Sequence, residues 1–233
     1  MKLVMVQNTI IASNDILCLI PMKDVHDAKK RLRISFPTEK QALVSNIITK
    51  LFINTITTAK KIFDFAVVSP SEDTLELALE QGASFIYQDL GIDLNEALTT
   101  SINYAHLTSK WKYILVLTAD LPFFSDESIV ELQNTFFTET FTIISAPKKF
   151  KDQGTSGLLI PLKYWPSLTL QFGKDSFNAF KKQLQEKRFP FYEFHDKIGF
   201  DLDTIDDLNE LKQHSTDIFK QLVDEGAINQ LFT

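Results

Sequence analysis

Cysteine is nearly absent: Cys18 is the single one in 233 residues. One thiol inside an apolar run builds neither a disulfide framework nor a cysteine metal cluster, and it fits a reducing compartment. The four histidines, His26, His106, His195 and His214, are scattered without metal-ligand spacing. No basic block occurs, and the formal net charge is −6. That balance excludes a surface built to neutralise nucleic-acid phosphates, although a local group of Lys and Arg can still hold a small anion. Glycine is scarce, with 7 in the chain. None stands in Gly-x-x-x-x-Gly-Lys-Ser/Thr or Gly-x-Gly-x-x-Gly, so neither the P-loop nor the dinucleotide fingerprint applies. No serine sits in a Gly-x-Ser-x-Gly elbow, and no nucleophile–base pair is evident. The opening MKLVMVQNTIIAS carries no small-residue cleavage site, and no run has membrane length. Residues 1–14 are therefore expected to form a flexible or edge-strand extension, and a cytoplasmic location without membrane contact is expected. No repeat or linker divides the chain, which reads as one domain over 1–233.

What is present is an alternation of short apolar runs and helical patterns. Ile16 to Ile20 is apolar throughout and stops at Pro21, as a strand buried on both faces does. A polar, basic loop runs from Lys23 to Arg33, and Thr38 opens a long helix. Phe65 to Val68 is a second buried strand. A helix from Glu72 to Gln81 follows, with Gly82 placed to end it. Ser84 to Tyr87 gives a strand and Leu94 to Leu107 a helix. Tyr113 to Thr118 is the strongest strand, and Ser125 caps the helix after it. Thr142 to Ser145 is a further strand. This rhythm predicts an α/β fold with a mostly parallel central sheet, whose ligands bind at the carboxyl ends of the strands. After residue 147 the rhythm changes, and the second half reads as an elaboration closing over the sheet edge. It carries a helix from Phe177 to Glu186, a strand near Phe189 to Phe194, a helix from Ile205 and a last helix from Asp217 to Gln230.

Four groups of residues can carry chemistry. Asp120 directly follows the strongest strand, where a carboxylate is a hard donor suited to Mg²⁺ or else a turn residue of Asp-Leu-Pro. Asp201 and Asp203 lie two apart on an extended segment and face one side, which suits a shared cation or a helix cap. Lys23, Lys29, Lys30, Arg31 and Arg33 crowd the loop after the first buried strand, where phosphate would need donors; an exposed charged loop is the plain alternative. Gly154-Thr155-Ser156-Gly157 and Gly173-Lys174-Asp175-Ser176 hold three of the 7 glycines, and such loops admit an anion close to the backbone or simply turn the chain.

The motifs fall in a familiar order: Ile20-Pro21-Met22-Lys23, Ala28-Lys29-Lys30-Arg31-Leu32, Leu94-Asn95-Glu96-Ala97-Leu98, Thr118-Ala119-Asp120-Leu121-Pro122, Gly154-Thr155-Ser156, Phe172-Gly173-Lys174-Asp175-Ser176-Phe177 and Asp201-Leu202-Asp203-Thr204-Ile205-Asp206-Asp207-Leu208. From about residue 16 to 212 the series resembles the 2-phospho-L-lactate (phosphoenolpyruvate) guanylyltransferase family of deazaflavin coenzyme biosynthesis. The resemblance implies a nucleotidyltransferase fold, a glycosyltransferase-A-like (nucleotide-diphospho-sugar transferase) sandwich. It implies transfer of GMP from GTP to a small phosphorylated acid, which is 2-phospho-L-lactate, phosphoenolpyruvate or a phosphoglycerate. Carried over by position, Asp120, Asp201 and Asp203 hold Mg²⁺. Thr155, Ser156, Gly173 and Ser176 meet the acid. Lys23, Lys29 and Arg31 meet the GTP phosphates, with Asp120, Lys23 and Arg31 as the catalytic set, and Asn95 lies near the nucleoside. A homodimer and hand-off of product to a downstream transferase are compatible with it. The sequence departs from the family at Gln153 and Asp175, where glycines are usual, at Ser156, where Asn is usual, and at Phe180, where His is frequent. A sugar-phosphate nucleotidyltransferase, a glycosyltransferase and a non-catalytic nucleotide-binding relative stay open.

Overall fold

The apolar runs become strands buried on both faces. The computed structural model describes residues 3–6, 9–12, 15–25, 27–88, 93–136, 140–146, 154–214, 220 and 227–232. Strands β1 (Leu3–Val6) and β2 (Thr9–Ala12) pair antiparallel as a separate two-stranded sheet. The main sheet holds β3 (Ile16–Pro21), β4 (Asp64–Ser69), β5 (Phe85–Gln88), β6 (Tyr113–Leu117), β7 (Phe141–Ser145), β8 (Gly157–Pro161) and β9 (Phe191–His195), in the order β5-β4-β3-β6-β8-β7-β9. Every pairing is parallel except the two made by β8.

Alternating side chains of each strand feed two cores. Ile16, Cys18 and Ile20 of β3 enter one, while Leu17 and Leu19 enter the other. Helices α2 (Gln41–Ala59), α3 (Glu72–Glu80), α5 (Asp126–Phe136), α7 (Ile205–Leu211) and α8 (Ala227–Phe232) cover the first core. Helices α4 (Leu94–Thr108) and α6 (Ser176–Glu186) cover the second. This is the sandwich that the strand–helix rhythm predicts.

Three expectations change. The basic loop contains a single helical turn, α1 (Lys30–Arg33). The second half does more than close over an edge, because β8 inserts between β6 and β7. It can do so because its five residues are all buried and Gly157 lets Ile144 and Leu117 approach closely. The stretch Thr38–Ala59, contrary to the expectation from the sequence, is long and apolar enough to cross a membrane by length and composition. In this fold half of its most apolar 18-residue window is buried, with Val44, Ile47, Leu51 and Phe52 in the first core. The expected last helix is described only in part, since residues 217–219 and 221–226 lie outside the described residues.

The sheet's connectivity fixes where a ligand binds. From β3 the chain moves to β4 on one side and later to β6 on the other. The carboxyl ends of β3 and β6 therefore flank a topological switch point, where the loops diverge and leave a crevice. The loop after β3 carries the lysines, and the loop after β6 carries Asp120.

Candidate functional site

Asp120 is set by its backbone on both sides. The preceding carbonyl, of Ala119, accepts a hydrogen bond from the Thr55 hydroxyl of α2 at 3.1 Å. The Asp120 carbonyl accepts from the Leu202 N–H at 3.3 Å, which ties the β6 loop to the segment before α7. The residues flanking Leu202 are Asp201 and Asp203. One carboxylate oxygen from each of Asp120, Asp201 and Asp203 lies within 4.8 Å of the others. Eighty residues of sequence separation are closed by a single backbone contact.

Asp203 is spared from capping. Thr204 is the N-cap of α7, and its hydroxyl accepts from the Asp207 N–H at 3.2 Å. The Asp207 carboxylate accepts from the Thr204 and Asp203 N–H groups at 2.7 and 2.9 Å. With the helix start satisfied by Thr204 and Asp207, the Asp203 carboxylate turns towards Asp120.

The cation between these acids is Lys29. Its ammonium pairs with Asp120 and donates to Asp203 Oδ1 at 2.5 Å. Lys29 adopts a left-handed backbone, φ 60 and ψ 49, unusual for a residue other than glycine. The neighbouring loop holds it there. Ala28 N–H donates to the Asp24 carbonyl at 2.8 Å. Arg33 Nε and Nη2 donate to the carbonyls of Ala28 and Val25 at 2.6 and 2.7 Å, and Nη1 reaches Ser45 on α2 at 3.1 Å. Arg33 is thus a strut of the loop, whereas Lys23, Lys30 and Arg31 line the cavity with exposed side chains.

Burial opposes the charge of Lys29, yet three carboxylates around it hold its ammonium well above the usual lysine range. For Asp120, burial is the larger effect and raises the carboxyl; Asp201 and Asp203 add to it, and Lys29 pulls the other way. The two directions agree, since Lys29 faces three acids while Asp120 faces one ammonium and two acids.

The cavity beside this cluster has a volume of about 760 Å³ and is lined by Lys23, Lys29, Arg31, Asp120 and Asp203 among others. Asp93 and Thr118 also line it. Asp93 caps α4, accepting from the Asn95 and Glu96 N–H groups at 2.8 and 3.1 Å. An Asp before a helical run is a readable cap signal, but no sequence signal marks Thr118.

The two glycine loops meet through a hydrogen bond. The Ser176 hydroxyl, at the start of α6, accepts from the Thr155 N–H at 3.0 Å. The Thr155 hydroxyl is buried without a hydrogen-bond partner among the described residues, a costly state that a polar ligand would relieve. Ser156 donates to the Gly199 carbonyl, so its side chain holds the turn that leads into Asp201. Asn95 is likewise engaged: its amide donates to the Phe172 carbonyl at 3.1 Å and accepts from the Phe172 N–H at 2.7 Å. It holds the second glycine loop and is not in the cavity lining. Gly173 has φ +137 and Asp175 φ 58, so both positions use backbone that glycine adopts freely. Phe180 is fully buried in the second core, edge-on to Phe172. Gln153 lies outside the described residues.

Three carboxylates with one ammonium leave a net deficit of two positive charges, so the donor set suits a hard divalent cation. Beside it stands the cavity of about 760 Å³, whose walls carry Lys23, Lys29, Lys30 and Arg31 together with five aspartates. A family model described as guanylyl transferase CofC-like matches residues 16–222 of the chain. The chain belongs to that family. Solved structures agree on the fold. A candidate nucleotide-diphospho-sugar transferase from Desulfovibrio desulfuricans is similar at TM-score 0.71 and 16% identity, over 95% of this chain and 99% of that one. A nucleotidyl transferase from Methanothermobacter thermautotrophicus gives 0.59 and 12%, over 89% and 99%. A cytidylyltransferase from Leptospira borgpetersenii gives 0.52 and 15%, over 92% and 96%. A comparison with curated proteins finds no match. CofC-like membership and the shared fold support a nucleotidyl transfer function.

Proposed function

We propose that the chain transfers GMP from GTP to the phosphate of a small phosphorylated acid of the 2-phospholactate, phosphoenolpyruvate or phosphoglycerate type. The observation that carries this reading is the convergence of Asp120, Asp201 and Asp203 beside a lysine-lined cavity at the switch point of the sheet. An oxygen of the acceptor phosphate attacks the α-phosphorus of GTP. The bond from that phosphorus to the oxygen bridging to the β-phosphate breaks, and pyrophosphate leaves with the electron pair. A phosphate oxygen is already ionised at neutral pH, so no general base is required.

The protein's task is to bring two anions together and offset their charge. Mg²⁺ held by Asp120, Asp201 and Asp203 would supply charge neutralisation at the transferring phosphate. Lys23, Lys29 and Arg31 face the triphosphate from the β3 loop. Thr155, Ser176 and Gly173 are assigned to the acid by the resemblance alone: none of them is in the cavity lining, and the Ser176 hydroxyl is held by the Thr155 N–H. Ser156 and Asn95 act at one remove by holding the Asp201 turn and the Gly173 loop.

The test is incubation of the folded protein with GTP, Mg²⁺ and each acid in turn, with pyrophosphate as the readout. Release with at least one acid, dependent on that acid, is expected. No release with any of them overturns the reading.

A further inference from the structure

We infer that Lys29 closes the metal site in the resting protein, so that a divalent cation binds tightly only once a nucleotide draws this lysine away. The inference rests on the reading of the cavity as a nucleotide site. Lys29 is bonded to two of the three carboxylates that would hold the metal, and it stands between them. An ammonium and a dication cannot share that place.

The lysine is aimed there by its backbone. Its left-handed conformation follows a turn closed by Asp24 and braced by Arg33, and its own carbonyl starts α1 by accepting from the Arg33 N–H at 2.9 Å. The tether is rigid while the four-carbon stem is flexible. The same side chain lines the cavity with Lys23 and Arg31. A rotation of the stem alone can move the ammonium from carboxylates to phosphates. Charge follows the exchange. Three carboxylates and Lys29 sum to −2; once the lysine has left for the phosphates, a dication in its place takes the three carboxylates from −3 to −1, and the phosphates stay the lysine's strongest anionic neighbour. The lysine thereby couples metal entry to nucleotide entry.

Binding of Mn²⁺ to the full chain without nucleotide, followed by loss of the free-ion electron paramagnetic resonance signal, tests this. Wild type is expected to bind weakly, Lys29→Met at least tenfold more tightly, and Lys29→Arg as weakly as wild type. Melting temperature gives a second readout. Mn²⁺ should raise that of Lys29→Met and leave wild type unchanged. Should Lys29→Met not fold, Lys29→Gln takes its place. Equal Mn²⁺ affinity in wild type and the neutral variant overturns the proposal, and so does tight binding by wild type alone. These readouts need no turnover. A gain of Mn²⁺ affinity with no guanylyl transfer to any acid sinks the proposed reaction only. Transfer by wild type without that gain sinks the lysine's role only.

Discussion

The histories of the acids differ at the residue scale. Asp120 could be read from the sequence because a carboxylate after an all-apolar strand has few other places to point. Asp201 and Asp203 could be read as a pair, but whether they cap a helix or face a ligand depended on Thr204 and Asp207 taking the cap. The engagement of Asn95 and Ser156 with backbone could not be read at all, since it depends on which loops meet. For Asp120→Asn, nucleotidyl transfer is expected to fall roughly 10²–10³-fold, as when one charge-stabilising group is removed from a preorganised site. Steady-state rates with far-UV dichroism check it; near-normal transfer from the folded variant would dismiss Asp120 as a metal ligand. Asp175 occupies left-handed backbone next to Ser176 and adds a carboxylate there. Asp175→Gly relieves both and is expected to lower KM for the acceptor acid several-fold, with stability unchanged or up to ~1 kcal/mol higher. A raised KM would show that the carboxylate helps the acid bind. Cys18, fully buried in the inner strand β3, has its thiol pushed far above the ordinary range by burial alone. It should resist aromatic disulfide reagents in the native state and react fully in denaturant; rapid labelling of native protein would contradict that burial.

At the scale of elements, existence and type were legible wherever the pattern was long. Strands β3, β4 and β6 announced themselves as continuous apolar runs, and α4 was legible as a helix, although its Asp93 cap emerged only from the structure. β8 was readable as a short apolar run, but its place between β6 and β7 was not. A five-residue strand carries no record of its neighbours, and Gly157 matters only once Ile144 and Leu117 are against it. Gly199 has the same hidden role. A methyl group there would stand 2.3 Å from the Ser145 carbonyl carbon and 2.7 Å from the Ala146 nitrogen. Backbone cannot yield as a side-chain tip does, so Gly199→Ala must shift the turn that leads into Asp201. The expected cost is at least ~2 kcal/mol, typical of an overpacked site, together with loss of transfer. Chemical denaturation and the pyrophosphate assay measure the two effects. An unchanged midpoint would mean that the turn relaxes freely.

For the whole molecule, the alternation of strand and helix was enough to predict a mostly parallel sheet, and with it the edge on which ligands bind. Strand order was not available, because it is set by loop closure and by how two cores share one sheet. That order is what lets distant loops act together. Arg33 joins the lysine loop to α2 through Ser45, Thr55 joins α2 to the Asp120 loop, and the Leu202 N–H joins that loop to α7. Helix α2 also forms much of the first core through Val44, Ile47, Leu51 and Phe52. A ligand that bridges the lysine and aspartate loops therefore stabilises a contact network anchored in the core, and its binding energy should appear in global unfolding. With GTP and Mg²⁺ together at a hundred times the dissociation constant, linkage predicts about 2.7 kcal/mol of added stability. For a chain of this size that amounts to a melting temperature higher by roughly 5–10 °C. Differential scanning fluorimetry with GTP, ATP, CTP and UTP, each with Mg²⁺, reads both the size and the base preference. The largest shift is expected from GTP. A larger shift from another nucleotide would move the proposed donor to that base while leaving the aspartate cluster and its lysine in place.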